Sequence, residues 1–325
     1  MNKKEHIMKT GSRGVLKGVH KLSGNEAIVE GAFSAGCRFL GTFPIMPALE
    51  TVNRYLDRCG DIGATFVQME DEISALATVI GASWTGKKAM TVTSGSGLSN
   101  MMEHIGLGIM LQTPCVIVDV QRAGPSLGSP AVASQSDMMQ SRWGSHGDYE
   151  VIALAPNSPQ ECFDLTIKAF NLSEKYRLPV FIMTDGFIAQ QVEKINIPDP
   201  ETIKIEYRKL FDGPKDKYLP YKEEKDLIPK MVIMGQGYRF HVTGLTHDQR
   251  GYPVMNSDCQ EFCVRPLLEK ITNNIDKISM IEEENIKKSD TIIISYGATS
   301  RIVKEVLLKE KKKGSNIGSL RLITV

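Results

Sequence analysis

Three acidic residues stand where an apolar, strand-like stretch gives way to a run of small apolar residues. The segment FVQMEDEISAL places Glu70, Asp71 and Glu72 at this turn. Acidic residues stabilise the first turn of a helix through its dipole, which accounts for one or two of the three. Glu72 has no lysine or arginine within the next helical turn. A carboxylate among small apolar neighbours can share a proton with a ring nitrogen of a ligand.

A turn rich in serine and glycine, Thr93–Gly97, follows the next predicted strand. Residues 95–100 read GSGLSN, which matches the opening of the dinucleotide fingerprint G-x-G-x-x-G. The sixth position is Asn100 where close packing would require glycine, and the turn follows about the third strand of the chain. Asp119 lies near the expected distance but within an apolar strand. A dinucleotide-dependent dehydrogenase is therefore a minor alternative.

Arg122 follows the most apolar strand of the sequence, PCVIVDV at 114–120, and lies near the start of a loop rich in glycine, proline and serine. The planar guanidinium group forms paired hydrogen bonds with carboxylates. Taken alone, Arg122 would more simply be a surface arginine. However, ligands bind open α/β sheets where strands end and helices begin, and Glu72, the turn at Thr93–Gly97 and Arg122 all fall at such positions.

Other catalytic patterns find little support. The histidines do not have the H-x₃-H or H-E-x-x-H spacing of metal sites. His146 and Asp148 could form an acid–base pair. Cys259 and Cys263 are four residues apart, but no nearby cysteines complete an iron–sulfur site. The six cysteines suit reduced thiols in a reducing compartment.

Composition excludes some classes of partner. The 325 residues include 39 Lys and Arg against 38 Asp and Glu, a formal net charge of +1 that gives no electrostatic reason to expect nucleic acid or anionic membrane. No apolar run approaches the ~20 residues that span a bilayer. The N-terminal MNKKEHIMKT lacks the apolar core of a secretory signal. We therefore expect a cytoplasmic protein.

The elements that would position these residues alternate between strand and helix patterns, which predicts an α/β fold with a mostly parallel sheet. This domain should cover residues 23–190, after a basic N-terminal arm at 1–22. Charged residues and proline dominate 191–230, the predicted linker. Residues 231–325 predict a second, smaller α/β domain. Its two strands and two helices are too few for a complete sheet, so either the chain is truncated or a partner completes it.

Several segments resemble the alpha subunits of 2-oxoacid:ferredoxin oxidoreductases, and the 2-oxoglutarate type most closely. They span residues 24 to 253, and YGATSRIVKEV (296–306) extends the match. The segments are GNEAIVEGAFSAGCRF (24–39), FPIMPALE (43–50), QMEDEISAL (68–76), TSGSGLSNMMEHIG (93–106), VDVQRAGPSLG (118–128), SQSDMMQSRWGSHGDY (134–149), AFNLSEKYRLPV (169–180) and HVTGLTHDQRGYP (241–253).

The resemblance implies a thiamine-diphosphate enzyme whose active site is divided between subunits. Residues 23–190 would bind the aminopyrimidine of the cofactor, and 231–325 would be an incomplete transketolase C-terminal-like domain. A beta subunit would bind the diphosphate and Mg²⁺, and a partner subunit would carry the iron–sulfur cluster. Gamma and delta subunits could complete an assembly built on an (αβ)₂ core. Its reaction would be oxidative decarboxylation of a 2-oxoacid, with coenzyme A accepting the acyl group and ferredoxin the electrons.

The resemblance also assigns roles to individual residues of the site. Glu72 would face the pyrimidine nitrogen N1′, and Arg122 would bind the substrate carboxylate, so these two are the predicted catalytic residues. The predicted cofactor-binding residues are Glu72, Gly95, Ser96 and Gly97. The predicted substrate-binding residues are Pro44, Ile45, Met46, Pro47, Arg122 and Leu127.

Three positions depart from the family pattern. The proline loop usually reads Y-P-I-T-P, and this chain has Met46 in place of threonine. Ser96 replaces a proline, and Leu127 replaces another threonine. Loss of a hydrogen-bonding hydroxyl could cost ~1–3 kcal/mol of substrate binding. The departures therefore predict either a preference for a branched-chain 2-oxoacid over 2-oxoglutarate or a non-catalytic assembly subunit.

Overall fold

A mostly parallel sheet forms the centre of the computed structural model, which describes residues 14–325. The strands up to residue 197 are β1 (Gly18–Ser23), β2 (Cys37–Thr42), β3 (Thr65–Gln68), β4 (Lys88–Thr93), β5 (Cys115–Ala123), β6 (Ser129–Ala133), β7 (Ile152–Leu154), β8 (Pro179–Asp185) and β9 (Val192–Ile197). The strand order of the central sheet is β3-β2-β4-β5-β8-β7, and β6 pairs with the end of β5 in antiparallel orientation.

Helices cover both faces of this sheet. The helices up to residue 190 are α1 (Gly24–Ser34), α2 (Leu49–Ile62), α3 (Glu72–Trp84), α4 (Ser96–Asn100), α5 (Met102–Met110), α6 (Met138–Trp143), α7 (Pro159–Tyr176) and α8 (Gly186–Gln190). On one face, α1 and α7 pack against each other and against the sheet, and α2 packs beside α1. On the other face lie α3 and α5.

Strand β5 shows how the sequence produces this arrangement. Its valines at 116, 118 and 120 enter the core beneath α1 and α7, whereas Cys115 and Ile117 enter the core beneath α3 and α5. A strand buried on both faces must be apolar at successive positions, which explains the run PCVIVDV. The prediction of a mostly parallel α/β sheet is confirmed.

The predicted N-terminal arm and linker are partly replaced by a two-stranded ribbon. Strands β1 and β9 pair in antiparallel register from Gly18 with Ile197 to Ser23 with Val192. The predicted arm at 1–22 is therefore wrong at its C-terminal end, which belongs to β1. The predicted linker at 191–230 is wrong at its N-terminal end, which belongs to β9. The rest of the arm, residues 1–13, lies outside the described residues.

The C-terminal part contains one more strand than expected. The elements are α9 (Ser257–Thr272), α10 (Ile275–Ile278), β10 (Ile281–Glu284), β11 (Thr291–Ser295), α11 (Gly297–Lys312) and β12 (Ile317–Leu322). The sheet has the order β10-β12-β11, and the predicted pair of strands omitted β10. Helix α9 packs against the first sheet domain, where Lys270 donates to the carbonyl of Arg177 at 3.0 Å. Within residues 14–325, no helix has the length and hydropathy required to cross a bilayer.

Candidate active site at the carboxyl ends of the strands

Glu72 is the first residue of α3 and lies beside the carboxyl ends of the central strands. Asp71 caps this helix by accepting a hydrogen bond from the Ser74 amide at 2.7 Å, so the Glu72 carboxylate is not needed as the cap. The side chain of Glu72 is only 5% exposed. Its Oε2 accepts a hydrogen bond from Asn100 Nδ2 at 3.1 Å. One oxygen is therefore fixed by α4, and the other faces the glycine turn.

The glycine turn brings α4 close to both candidate catalytic residues. A Cβ atom on Gly97 would lie 2.7 Å from Glu72 Oε1 and 2.3 Å from Thr93 Oγ1, so only glycine fits there. Gly95 has φ of +48°, and a Cβ atom on it would lie 3.2 Å from Arg122 Nε. The absence of these side chains allows Glu72 to approach the turn at Gly97 and Arg122 to approach it at Gly95.

Arg122 connects three loops of the site. Its guanidinium donates to the carbonyl of Met46 at 2.6 Å and to the carbonyl of Leu127 at 2.8 Å. It also contacts Ser96 Oγ at 3.4 Å. The side chain is 4% exposed, and its Nε has no hydrogen-bond partner among the described residues. Arg122 therefore fixes the loops and retains at least one buried donor.

The loops that Arg122 contacts present apolar side chains at the rim of the site. The side chains of Met46 and Leu127 are both exposed. Pro47 is buried, whereas Pro44 and Ile45 are partly buried. Ile45 packs against the core, so its side chain is not part of this rim. Among the predicted substrate-binding residues, the contacts thus connect Met46 and Leu127 directly to Arg122.

Sequence reasoning missed a layer of buried polar groups beneath the turn. Thr93 and Asp119 are register partners on β4 and β5, and both are completely buried. Gln121, two residues further along the same face of β5, is also buried, and neither its oxygen nor its nitrogen has a hydrogen-bond partner in the described part of the chain. The signal in the sequence was the i, i+2 spacing of Asp119 and Gln121 in an apolar strand.

Asp137 lies just before α6 and is 9% exposed. Neither oxygen of Asp119 has a hydrogen-bond partner within residues 14–325. Burial raises the pKa of Asp119 well above its ordinary value, and the nearby charge of Asp137 raises it further. Burial also raises the pKa of Asp137.

The remaining candidates do not join this site. His146 and Asp148 are both exposed. Cys259 and Cys263 lie on α9, where burial raises the pKa of Cys263 to about 11. In the described range 14–325, no three His, Cys, Asp or Glu residues are grouped so that they could bind a metal ion.

Residues 30–261 match the family model described as pyruvate flavodoxin/ferredoxin oxidoreductase, thiamine diphosphate-binding. The chain belongs to this family. The match overturns the dinucleotide alternative, because the turn at Thr93–Gly97 lies inside a thiamine-diphosphate-binding region. It also confirms the resemblance inferred from the sequence segments.

Members of this oxidoreductase family and a solved structure give more detailed similarities. A 2-oxoglutarate synthase subunit KorA of Methanocaldococcus jannaschii is 49% identical, over 94% of this chain and 82% of that protein. A ketoisovalerate oxidoreductase subunit VorB of Methanothermobacter thermautotrophicus is 32% identical, over 94% of this chain and 79% of that protein. The 2-oxoglutarate:ferredoxin oxidoreductase of Magnetococcus marinus, solved with 2-oxoglutarate, coenzyme A and succinyl-CoA bound, is 35% identical with a TM-score of 0.90. This chain is covered to 95% by that match but spans only 54% of the solved chain.

The residues around Glu72 fit the cofactor that the oxidoreductase family binds. A buried carboxylate oxygen lies beside a glycine whose Cβ would fill the adjoining space, and the neighbouring Thr93 Oγ1 has no partner within residues 14–325. An aminopyrimidine ring presents nitrogen donors and acceptors that such groups can bind. Glu72, Gly97 and Thr93 are therefore the residues of this chain that would contact that ring.

Proposed function

We propose that this chain is the alpha subunit of a 2-oxoacid:ferredoxin oxidoreductase, with 2-oxoglutarate as its substrate. The enzyme would oxidatively decarboxylate the oxoacid, transfer the acyl group to coenzyme A and pass the electrons to ferredoxin. The observation that carries the proposal is the approach of Glu72 and Arg122 to two glycines of one turn, Gly97 and Gly95. The 49% identity to a 2-oxoglutarate synthase subunit supports the choice of substrate.

Each of the two candidate catalytic residues has a separate task. Glu72, oriented by Asn100, would exchange a proton at nitrogen N1′ of the aminopyrimidine. Bound thiamine diphosphate would supply the carbanion chemistry by which the oxoacid loses carbon dioxide. Arg122 would orient the substrate through the carboxylate, because guanidinium donors match carboxylate oxygens. The Gly95–Gly97 turn would exclude water from the space between the two residues.

We further propose that a beta subunit covers this edge and supplies the diphosphate and Mg²⁺ sites. Large apolar side chains are exposed on the loops and helices around the site, which is typical of an interaction surface. They are Met46, Leu127, Val132, Met139, Trp143 and Phe187. We expect an (αβ)₂ assembly with its iron–sulfur cluster in a partner subunit, and gamma and delta subunits could extend it. All six cysteines are free, which suits a reducing cytoplasm.

A branched-chain 2-oxoacid is the second candidate substrate. It is favoured by the exposed apolar side chains of Met46 and Leu127, whose backbones contact Arg122. The similarity to a ketoisovalerate oxidoreductase subunit is in the same direction but is lower, at 32% identity. We therefore place 2-oxoglutarate first.

The proposed function is tested by co-expressing the chain with a beta-type subunit from the same genome. Viologen reduction is measured with thiamine diphosphate, Mg²⁺ and coenzyme A, using pyruvate, 2-oxoisovalerate and 2-oxoglutarate in turn. We expect reduction by the pair and none by this chain alone, with the highest kcat/KM for 2-oxoglutarate. A higher value for 2-oxoisovalerate would select the second candidate. If a stable, cofactor-loaded complex forms but does not reduce viologen with any of the three oxoacids, this chain is a non-catalytic assembly subunit.

A further inference from the structure

The C-terminal part of the chain contacts the first sheet domain at the turn from β11 into α11. Tyr296 Oη donates a hydrogen bond to the carbonyl of Gln135 at 2.7 Å, and Gln135 Nε2 donates to the carbonyl of Tyr296 at 3.0 Å. Thr299 Oγ1 donates to Gln135 Oε1 at 2.8 Å. The backbone carbonyl and both ends of the side-chain amide of Gln135 are therefore bound to the C-terminal part.

Asp185, the last residue of β8, completes this contact and is 2% exposed. Its Oδ2 accepts a hydrogen bond from the Ala298 amide at 3.1 Å and lies 3.5 Å from Gln135 Nε2. Its Oδ1 accepts hydrogen bonds from the amides of Phe187 and Ile188, each at 3.0 Å. Because α11 has no capping side chain of its own, this one carboxylate caps both α8 and α11.

The turn between β11 and α11 has room for glycine only at position 297. Gly297 has φ of +54°, and a Cβ atom on it would lie 2.6 Å from Gln135 Nε2 and 3.2 Å from Asp185 Oδ2. Any side chain at this position would displace Gln135. We call this group of residues the Gln135 clasp; it consists of Gln135, Asp185, Tyr296, Gly297, Ala298 and Thr299.

The clasp holds the end of β6, which leads back from one of the loops that Arg122 binds. Gln135 is two residues beyond Ala133, the register partner of Arg122 in the ladder of β5 and β6. The register of this ladder shifts between its two pairs, so the sheet alone gives β6 little support. The loop 124–128 between the two strands contains Leu127, whose carbonyl accepts a hydrogen bond from Arg122. The position of that carbonyl therefore depends on how the end of β6 is held.

The clasp also adjoins the second loop that Arg122 binds. Gly186 directly follows Asp185, and a Cβ atom on it would lie 3.6 Å from both Ala133 Cβ and Pro47 Cγ. Pro47 follows Met46, whose carbonyl accepts a hydrogen bond from the Arg122 guanidinium. The backbone at the start of α8 thus lies against both β6 and the proline loop.

We propose that the Gln135 clasp is a positioning element for 2-oxoacid binding, through which the C-terminal part of the chain fixes the two loops that orient Arg122. The proposal rests on the proposed function of Arg122 as the group that binds the substrate carboxylate. Gln135 acts through β6 and Leu127, so it is a positioning residue. Without the clasp, the two loop carbonyl groups shift relative to the guanidinium, and the oxoacid binds more weakly.

A contact that only stabilised the fold would behave differently. Its loss would lower the free energy of unfolding and leave the KM of the folded enzyme unchanged. Loss of a positioning contact raises KM for the oxoacid. It should change kcat less, because Glu72 is oriented by Asn100 on α4 and not by the clasp.

Two glycine variants of the assembled complex separate these roles. Gly297→Ala places a Cβ against Gln135, whereas Gly314→Ala, just after α11, places one where nothing lies within 4 Å. Both positions have positive φ, at +54° and +82°, so both variants carry backbone strain in the C-terminal part. Because a small misplacement of a positioning group has large effects on an enzyme, we expect Gly297→Ala to raise KM roughly tenfold. Gly314→Ala should keep the wild-type KM.

The exposed Thr299 allows a milder test with a conservative rescue. Thr299→Val removes the hydroxyl that donates to Gln135 Oε1 and should raise KM about threefold, as expected for one hydrogen bond. Thr299→Ser retains the donor and should restore the wild-type KM. Gln135→Leu should raise KM more than Thr299→Val does. The two substitutions remove the same bond, so the double variant should be no worse than Gln135→Leu.

Amide hydrogen exchange gives a readout that does not depend on turnover. Mass spectrometry of the full chain should show faster exchange in peptides covering residues 124–137 of Gly297→Ala and Gln135→Leu, because local opening of β6 becomes easier. The same peptides should exchange at the wild-type rate in Gly314→Ala. Peptides from the buried strand β4 should exchange equally in all variants.

Three results would overturn the proposal. Unaltered exchange of residues 124–137 in both clasp variants would show that the clasp does not hold β6. Faster exchange with an unaltered KM would show that the clasp stabilises the loop without positioning the site. Equal rises in KM for Gly297→Ala and Gly314→Ala would assign the effect to backbone strain. If the wild-type complex turns over no oxoacid, the proposed function fails, and the exchange rates alone decide whether the clasp fixes the loop.

Discussion

Replacing Glu72 by glutamine changes the candidate catalytic group and almost nothing else. The glutamine oxygen can accept the same hydrogen bond from Asn100, and its amide group can occupy the position of Oε1 beside Gly97. Helix α3 does not lose its cap, because Asp71 provides it. The variant should therefore fold and bind the beta subunit as the wild type does.

Glutamine cannot take up or release a proton at the ring nitrogen, so the loss should appear in turnover. General acid–base catalysis contributes roughly 10²–10⁴-fold. At about 1.4 kcal/mol for each factor of ten, this corresponds to roughly 3–5 kcal/mol of activation free energy. We expect kcat for viologen reduction to fall by that factor, while KM for the oxoacid changes little because Arg122 is unaltered.

The matched control is Glu70→Gln, which removes a neighbouring but exposed carboxylate. It should leave kcat unchanged, and thermal unfolding should show that both variants are folded. A kcat of Glu72→Gln within a few-fold of the wild-type value, in a complex with full cofactor occupancy, would refute the role assigned to Glu72.

Three further substitutions test the site and its support. Asn100→Leu leaves Glu72 Oε2 without its partner. Because a hydrogen bond to a charged group contributes about 1.5–3 kcal/mol, kcat/KM should fall roughly 10–100-fold. Asn100→Gln should retain more activity. Gly97→Ala would place a Cβ 2.3 Å from Thr93 Oγ1 and should weaken the binding of thiamine diphosphate, measured by calorimetry. Gly60→Ala on α2, where a Cβ meets nothing within 4 Å, is the control. Arg208→Met leaves the buried Glu174 carboxylate unpaired and should lower the free energy of unfolding, measured in urea, by about 3–5 kcal/mol. Lys204→Met, which breaks an exposed ion pair, is the control and should lower it by at most about 1 kcal/mol. Burial alone would raise the pKa of Glu174, but Arg208 lowers it overall. The ion pair therefore stabilises the fold fully above the unfolded-state pKa of about 4.3. This stabilisation is lost as the pH falls through the pKa of Glu174 in the folded protein.

Elements with complete local signals were predictable from the sequence. Strand β4, Lys88–Thr93, and helix α7, Pro159–Tyr176, are two such elements. The helix begins with Ser158 as its cap and proline in its first turn, and both signals are local. Glu72, the glycine turn and Arg122 were also predictable as neighbours, because the carboxyl ends of parallel strands meet at one edge.

Features that depend on pairing between distant segments were not predictable. Strand β1 becomes a strand only because β9 lies beside it, and its first residue, Gly18, pairs with the distant Ile197 at the end of β9. Strand β10 has the sequence IEEE, whose charge argues against a strand until β12 supplies the backbone partners. Asn100 had no distinctive local pattern, and its role follows only from what α4 contacts in three dimensions.

The contacts of Arg122 also explain how the departures at Met46 and Leu127 are compatible with an intact site. Arg122 binds the backbone carbonyl groups of both residues, so its position does not depend on their side chains. Ser96 adds a hydroxyl contact to the same guanidinium where the family pattern has proline. Replacing threonine at positions 46 and 127 therefore alters the lining of the rim without removing a support of the arginine. This separation argues against a loss of catalysis as the consequence of the three departures.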